Sequence, residues 1–568
     1  MYADTVINRR NIHRGIYLAS LCLIVVFLPL SRYMLSVSEI ILAVNWVAEG
    51  DFRTKFSRLR SDRAAIAFIL IYVLSIIGVI WSEDPGYALT HDLLHKLPTL
   101  FMPLIVATSA LPGRKMTRVI LLLFISSVVV VSFIGFFSRL MQPALSFREA
   151  SPFIPGIYFG LMVIIAAFQL PLLARGGSGK QQMKKRGDAG EGPIPVPESA
   201  VNLPLPAWVI TGSRNFFLTS LALSAWLIFF LFHLRALSAV ASFAAALLCL
   251  IVIFAARSDK ALVKILLPAI FIIATALAIR PMVGIYRQTH AEPHIDFSSL
   301  DSFTSRGNPY LHDTLNIIRE NGNPVYLYIA DEELREAWNE KSSLDYDREN
   351  LVGQELRATL FRYMSSLGLR KDAESFIKLT DNDIAAVESG ITNHLNVDRP
   401  GFYVRTYEEM MSLYIYYKSS RQMTEWGSLT KRIDLWRASW EAFRERPLLG
   451  WGTGSILKAM DHGLQKNGSM LSGLNMKPHN QFLCIMLTLG LSGLIITVLL
   501  YAYFVFERKV YRSLMFILFL VVFLVNFLGN NSLESQPGQD LFVFFSLFYG
   551  YFYPTLKKEP GFKGRVLF

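Results

Sequence analysis

Apolar stretches of about 18–20 residues recur along this chain, each long enough to cross the hydrocarbon core of a bilayer, and most are separated by short polar connections. The pattern predicts membrane helices at roughly 16–31, 34–48, 64–81, 94–110, 119–137, 153–174, 215–232, 237–256, 262–279, 480–505, 513–529 and 540–555. One long polar segment, 280–478, interrupts the series. Its apolar spacing is helical: Leu356, Leu360, Met364 and Leu367 fall at i, i+4, i+8 and i+11. Asp381 and Thr406 stand where helices would start. The expected architecture is all-α: a polytopic membrane protein of about twelve spans with one large, mostly helical extramembrane segment. It divides into an N-terminal bundle over 1–279, the polar segment over 280–478 and C-terminal spans over 479–568.

Charge supports this count and fixes an orientation. With the N-terminus inside, the inner connections hold Arg9, Arg10 and Arg14, then the run from Arg53 to Arg63, then Arg114, Lys115 and Arg118. Lys180 to Arg186, Arg257 with Lys260, Arg508 to Arg512, and Lys557 with Lys558 follow on the same side. The short outer connections hold only Arg32, Arg139, Arg148 and Arg235, beside the acidic SEDPGYALTHD. Such an excess of Lys and Arg marks cytoplasmic loops, so both termini are expected inside and 280–478 outside. The first apolar run, Gly15 to Leu30, lacks a small-residue cleavage site and is read as a span rather than a removable signal. Residues 175–214 read as a Gly/Pro/Ser-rich cytoplasmic linker.

Composition narrows the function classes. The 568 residues are 52% hydrophobic and only 18% charged, as a membrane protein requires. Much of the excess behind the formal net charge of +12 sits in the short inner loops, and no basic stripe interleaved with aromatics suggests nucleic acid. The three cysteines, Cys22, Cys249 and Cys484, all fall in expected spans, which leaves no disulfide framework and no thiolate metal site. HAEPH, from His290 to His294, has the spacing of a two-His metal pair, but Pro293 breaks the helix it would need and no Glu base follows. No metal or cofactor is expected.

The residues with chemical potential concentrate on the outer side. Arg235 begins the eighth expected span, where an Arg needs a partner or a watery cavity. Arg432, Trp436 and Trp440 share one helix face, with Arg437 and Glu441 paired at i, i+4 on another. A guanidinium fork at Arg432 suits phosphate oxygens, whereas the tryptophans suit a membrane interface. Gly450, Gly452 and Gly454 follow a helix rather than a strand, so PLLGWGTG reads as a tight turn whose N–H groups can still meet an anion. His479 stands between Pro478 and Asn480 at the outer start of a span, after Lys477, where an imidazole can act as a general base.

This stretch resembles the C-terminal signature of the O-antigen ligase and polymerase superfamily. The resemblance rests on Arg432 with Trp436, Pro447 to Gly454, the His479–Asn480 dyad, and Gly490 to Leu494 in the span that follows. WSEDPGYAL, Arg235 and the layout of spans extend it, although Leu234 stands where the family often has Ser or Thr. The resemblance implies a bacterial inner-membrane glycosyltransferase without metal or cofactor. Its donor would be a glycan on undecaprenyl diphosphate and its acceptor a sugar hydroxyl of lipid A–core or another glycan, met on the periplasmic side. His479 would be the catalytic base and Arg235 and Arg432 the diphosphate ligands, supported by Asn480, Lys477, Arg437, Trp436 and Gly452. Residues 290–425 would add acceptor specificity. A polymerase joining lipid-linked repeat units has the same chemistry, and a lipid-linked glycan transporter is the alternative from another class.

Overall fold

A computed structural model describes residues 9–141, 151–175, 214–234, 236–289, 297–316, 318–399, 401–418 and 427–554. The linker over 176–213, Arg235 and the HAEPH segment lie outside the described residues. The structure is mainly helical, and a helix coincides with each expected span. Among the described residues, five helices are long and apolar enough to cross a membrane: Arg9–Phe27, Arg114–Met141, Asn215–His233, Leu237–Arg257 and Gln481–Glu507. Arg63–Ile77, Gly156–Pro171, Ala261–Ile273 and Leu514–Gly529 are shorter apolar helices or helical segments.

The chain forms two compact units. The first comprises residues 1–250, 439–460 and 477–568, and the second 251–438 and 461–476. The boundaries expected at 279 and 478 followed membrane sidedness, whereas these units follow packing.

In the first unit, helices α1 (Arg9–Phe27), α2 (Arg32–Glu49), α3 (Phe52–Ser61), α4 (Arg63–Ile77), α5 (Pro98–Thr108), α6 (Arg114–Met141), α7 (Gly156–Arg175) and α8 (Arg214–His233) precede α9 (Leu237–Arg257), which crosses into the second unit. Helix starts are set by local chemistry. The Ser31 hydroxyl accepts from the Met34 N–H, and Asp62 accepts from the Ala65 N–H at 3.0 Å. Phenylalanines fill much of the core: Phe124, Phe159, Phe230 and Phe519 are buried, and Phe124 meets Phe545 edge-on at 4.8 Å. Outward faces remain apolar, as at Ile40, Val44, Val130 and Val252, which suits contact with lipid.

The second unit contains α10 (Ala261–Thr289), α11 (Asp331–Lys341), α12 (Leu356–Ser366), α13 (Asp381–Glu388) and α14 (Gly401–Lys418). Leu356, Leu360 and Met364 are fully buried, while Leu367 caps α12 and is exposed. Thr380 and Asp383 form a reciprocal capping box at the start of α13. Thr406, expected at a helix start, lies inside α14, which begins at Gly401. The all-α expectation also needs one correction. Arg319–Glu320 and Asn323–Pro324 pair as antiparallel strands around Asn321 and Gly322, both at positive φ. Asn-Gly is the turn chemistry that closes a two-residue hairpin.

Candidate active site

His479 sits in a short non-helical segment before α17 (Gln481–Glu507), the helix that follows α15 (Ser428–Glu445) and α16 (Ile456–Lys466). Its φ is +50°, in the left-handed region, which costs an L-residue with a side chain roughly 1–2 kcal/mol. Pro478 fixes the backbone before it, and Asn480 is the N-cap of α17 after it. The Asn480 carbonyl oxygen accepts from the Leu483 N–H at 3.1 Å, and its amide donates to the Leu528 carbonyl at 3.1 Å. His479 is therefore held in a strained conformation between two fixed neighbours, and strain of this kind concentrates at functional sites.

Beyond Asn480 lies a buried polar cluster. Gln481 accepts from the Leu533 N–H at 2.8 Å and donates to Glu534 at 3.3 Å. Glu534 pairs with Lys96 at 3.3 Å, both side chains being largely buried. Asp92, only 2% exposed, accepts from the Gly454 N–H at 3.1 Å. Burial pushes the Asp92 carboxyl above the usual carboxylate range, against the pull of Lys96 and Lys477. Burial acts in the same direction on Glu534, but Lys96 and Lys477 outweigh it and hold that carboxyl below its usual range. Two acids beside the same two ammonium groups are thus driven in opposite directions.

The Asp92 to Lys96 segment reaches this position through a π-helical turn, Ala88–Asp92. Such bulges recur at functional sites. The WSEDPGYAL segment just before it clamps the glycine turn. The Trp81 indole donates to the Leu449 carbonyl at 3.0 Å, the Glu83 N–H donates to the Ser455 hydroxyl at 2.8 Å, and Lys458 donates to the Glu83 carbonyl at 2.8 Å. The turn itself is closely packed. A Cβ on Gly452 would lie 2.5 Å from Ser82 Cα, and one on Gly454 would lie 2.4 Å from the Asp84 carbonyl. Its N–H groups are also spent: Gly450 donates to Arg446, Trp451 to Leu487, Gly452 to Thr488 and Thr453 to Gly78, with Gly454 on Asp92. Helix α17 admits the turn by kinking at Gly490, whose φ is +68°. A Cβ there would lie 2.0 Å from the Leu448 carbonyl. The turn is a packing joint between α4, α17 and the WSEDPGYAL segment, and the Gly452 N–H is already bonded to Thr488.

Members of the cluster line a cavity of about 330 Å³. Lys96, Thr99, Gln481, Glu534 and Gln539 supply its polar lining, while Phe68, Ile485, Leu489, Tyr501 and Phe542 contribute to an apolar wall. Most of its surface is apolar, and the charged groups are confined to a few positions.

Other candidate residues lie in the second unit. Arg432 and Trp436 are half-buried on α15. Arg437 donates to the Tyr416 hydroxyl at 3.0 Å, and Tyr416 donates in turn to Asp434 at 3.1 Å. The expected Arg437–Glu441 pair is replaced, because Glu441 pairs with Arg444 at 3.3 Å. The Trp436 indole N–H is buried without an acceptor among the described residues. The first unit thus holds Lys477, His479, Asn480 and Gly452, the second holds Arg432, Trp436 and Arg437, and Arg235 lies outside the described residues.

Sequence reasoning missed Asp92, Lys96, Gln481 and Glu534. The available signal was Lys96, a cation inside an expected span, which by itself marks a functional position.

No curated protein matches the chain. Residues 385–498, which include Arg432, the glycine turn, His479 and the kink at Gly490, match the family model described as O-Antigen ligase. Over that stretch the match supports a likeness to the O-antigen ligase and polymerase superfamily, whose members are membrane glycosyltransferase-like enzymes.

Proposed function

We propose that this chain transfers a glycan from undecaprenyl diphosphate to a sugar hydroxyl of lipid A–core on the periplasmic face of the bacterial inner membrane. The acceptor oxygen attacks the anomeric carbon of the donor sugar. The bond from that carbon to the diphosphate breaks, and its electron pair leaves with undecaprenyl diphosphate. His479 takes the acceptor proton as general base. Arg235 and Arg432 stabilise charge developing on the leaving diphosphate.

The observation that carries this reading is the junction at the start of α17. A strained His479 stands next to the Asn480 cap, and the following residue, Gln481, binds Glu534 within a charged cluster. That cluster borders a mainly apolar cavity. An isoprenoid diphosphate has the same division, a long apolar chain ending in concentrated negative charge. Lys96 and Lys477 add two cations there against Glu534 and an Asp92 that burial drives toward its neutral form. The match to the O-antigen ligase model over the His479 segment supports the same chemistry.

The test is the electrophoretic profile of lipopolysaccharide from a strain lacking this chain, complemented with wild type or His479→Ala at equal protein level. The expected result is bare core with long polymer stored on the carrier lipid, restored by wild type alone. Core bearing a single repeat unit would assign the polymerase reaction. An unchanged profile would remove lipid A–core as acceptor, and full rescue by His479→Ala would remove the general base.

A further inference from the structure

A second cavity, of about 820 Å³, opens among the N-terminus of α1, the C-terminus of α2, helix α3 and the C-terminus of α5. Its lining includes five cations, Arg9, Arg10, Arg14, Lys55 and Arg58, against two acids, Glu49 and Asp51. Several of these are fixed in place. Arg9 donates to the Ala48 carbonyl at 3.0 Å and Arg58 to the Thr108 carbonyl at 2.9 Å, so each closes the carbonyl end of a helix. Lys55 is buried, donates to the Trp46 carbonyl at 2.6 Å and pairs with Glu49 at 2.8 Å. Arg14 has no carboxylate partner among the described residues.

Tyr17 points to an occupant. It lines the same cavity, is 4% exposed, and its hydroxyl has no hydrogen-bond partner among the described residues. A buried hydroxyl without a partner costs free energy that a bound acceptor would recover. A donor of this kind beneath an excess of guanidinium groups fits an oxyanion.

The flanks favour a lipid as its source. Phe52 and Phe56 lie one turn apart on the short basic helix α3, both exposed, with Arg53 and Arg60 on the same ten residues. This is the composition of a helix that lies in a membrane interface. Ile12 and Ile16 on α1 and Val44 and Val47 on α2 add exposed apolar surface near the same ends. The charge pattern of the loops assigns this end of the helices to the cytoplasmic leaflet, where basic recesses between helices accept anionic headgroups.

We propose that this recess binds the phosphodiester headgroup of an anionic phospholipid from the cytoplasmic leaflet. The Arg9, Arg14 and Arg58 side chains meet the phosphate oxygens, the Tyr17 hydroxyl donates to one of them, and the acyl chains lie along the apolar flanks. The site does not depend on the glycosyl-transfer reading.

Titration of the full-length chain in detergent with short-chain phosphatidylglycerol, phosphatidylcholine or inorganic phosphate, read by native mass spectrometry and by the shift in Tm, tests the site. Phosphatidylglycerol is expected to be retained in preference to phosphatidylcholine. Combining Arg14→Gln with Arg58→Gln should weaken it about tenfold or more, and Tyr17→Phe about threefold to tenfold. Glu49→Gln should tighten binding, a gain that misfolding does not produce. Equal retention of phosphatidylcholine, or binding unchanged in both Tyr17→Phe and Glu49→Gln, overturns the proposal. Inorganic phosphate that raises Tm as much as the lipid also overturns it, because the ligand is then a soluble anion.

Discussion

Each unit buries a cluster of opposite charges, and the two clusters are built differently. In the second unit, Glu320 is fully buried and accepts from the Arg362 guanidinium at 2.7 Å, from the Asn393 amide at 2.7 Å and from the Tyr407 hydroxyl. Arg362 also donates to Glu408 at 2.9 Å, and Glu408 accepts from Thr392. These contacts link the hairpin, α12 and α14. Burial raises the Glu320 carboxyl, Arg362 opposes the rise, and Glu408 adds to it. In the first unit the Lys96–Glu534 and Gln481–Glu534 contacts are both 3.3 Å, and the charged groups face a cavity. A cluster closed on itself ties elements of a fold together. A looser cluster lining a cavity leaves charge for a ligand to complete.

Arg362→Met is the harshest test of that contrast. It leaves Glu320 and Glu408 in a buried site without their cation, a loss expected to cost about 3–5 kcal/mol. Hydrogen exchange in the full chain should show α12 and α14 deprotected. If both helices stay protected, the network is not what holds this unit. Lys96→Met should do the reverse. Glu534 keeps Lys477 and Gln481 as neighbours, so the loss of stability should be smaller, and under the proposed function glycan transfer at equal protein level should fall about 100-fold through lost stabilisation of the diphosphate. Normal transfer by Lys96→Met would make this cluster structural as well and erase the difference between the units.

A third prediction concerns pH. Lys371 is 3% exposed and donates to the Pro324 and Leu327 carbonyls at 3.2 Å. Burial pushes its ammonium down to about 7, although Asp372 opposes the shift. The unfolded chain therefore binds more protons than the folded one between that value and the ordinary lysine range, about 10.4. Stability of the second unit should rise with pH across this window, by at most about 1.4 kcal/mol per pH unit. It should be lowest below pH 7, where the folded state carries a buried ammonium. Lys371→Met should flatten the profile when α12 exchange is followed at several pH values. A slope that persists in the variant would assign the effect to another group.

The sequence was most readable where a periodic signal dominates. Apolar runs of membrane length can hardly be anything but helices in lipid, because the backbone must satisfy its own hydrogen bonds there. A helix overlaps each expected span, five of the helices among the described residues are long and apolar enough to cross a membrane, and Leu356, Leu360 and Met364 face a core as their spacing predicts. His479 and Asn480 stand out in the sequence because a polar dyad sits where an apolar span begins. Other features depended on contacts distant in sequence. Nothing near Gly454 indicates that its N–H will meet Asp92, or that WSEDPGYAL will form the wall against which PLLGWGTG turns. Asn321–Gly322 carries the turn signal of a two-residue hairpin, a local signal that the helical spacing at Leu356 to Leu367 does not reveal. Arg437 kept its charge partner only in sequence space: Tyr416 binds it instead, and Glu441 turns to Arg444.

The smallest expected effect separates structure from function most directly. Asn480 caps α17 in the first unit and Thr380 caps α13 in the second, each accepting from the N–H three residues on. Asn480→Ala and Thr380→Ala should therefore cost similar stability, about 1 kcal/mol each, seen as faster exchange in the first turn of the helix concerned. Their effects on transfer should differ. Asn480 also fixes the backbone next to His479 through the Leu528 carbonyl, so its loss lets a left-handed His479 relax and misplaces the proposed base. Misplacement by about 1 Å is enough to reduce turnover by about 100-fold. Asn480→Asp retains the side-chain oxygen that accepts from Leu483 and removes the amide that reaches Leu528, so it should recover helix stability without recovering rate. If Asn480→Asp recovers both, the cap alone positions His479, and the contact with Leu528 contributes nothing to the site.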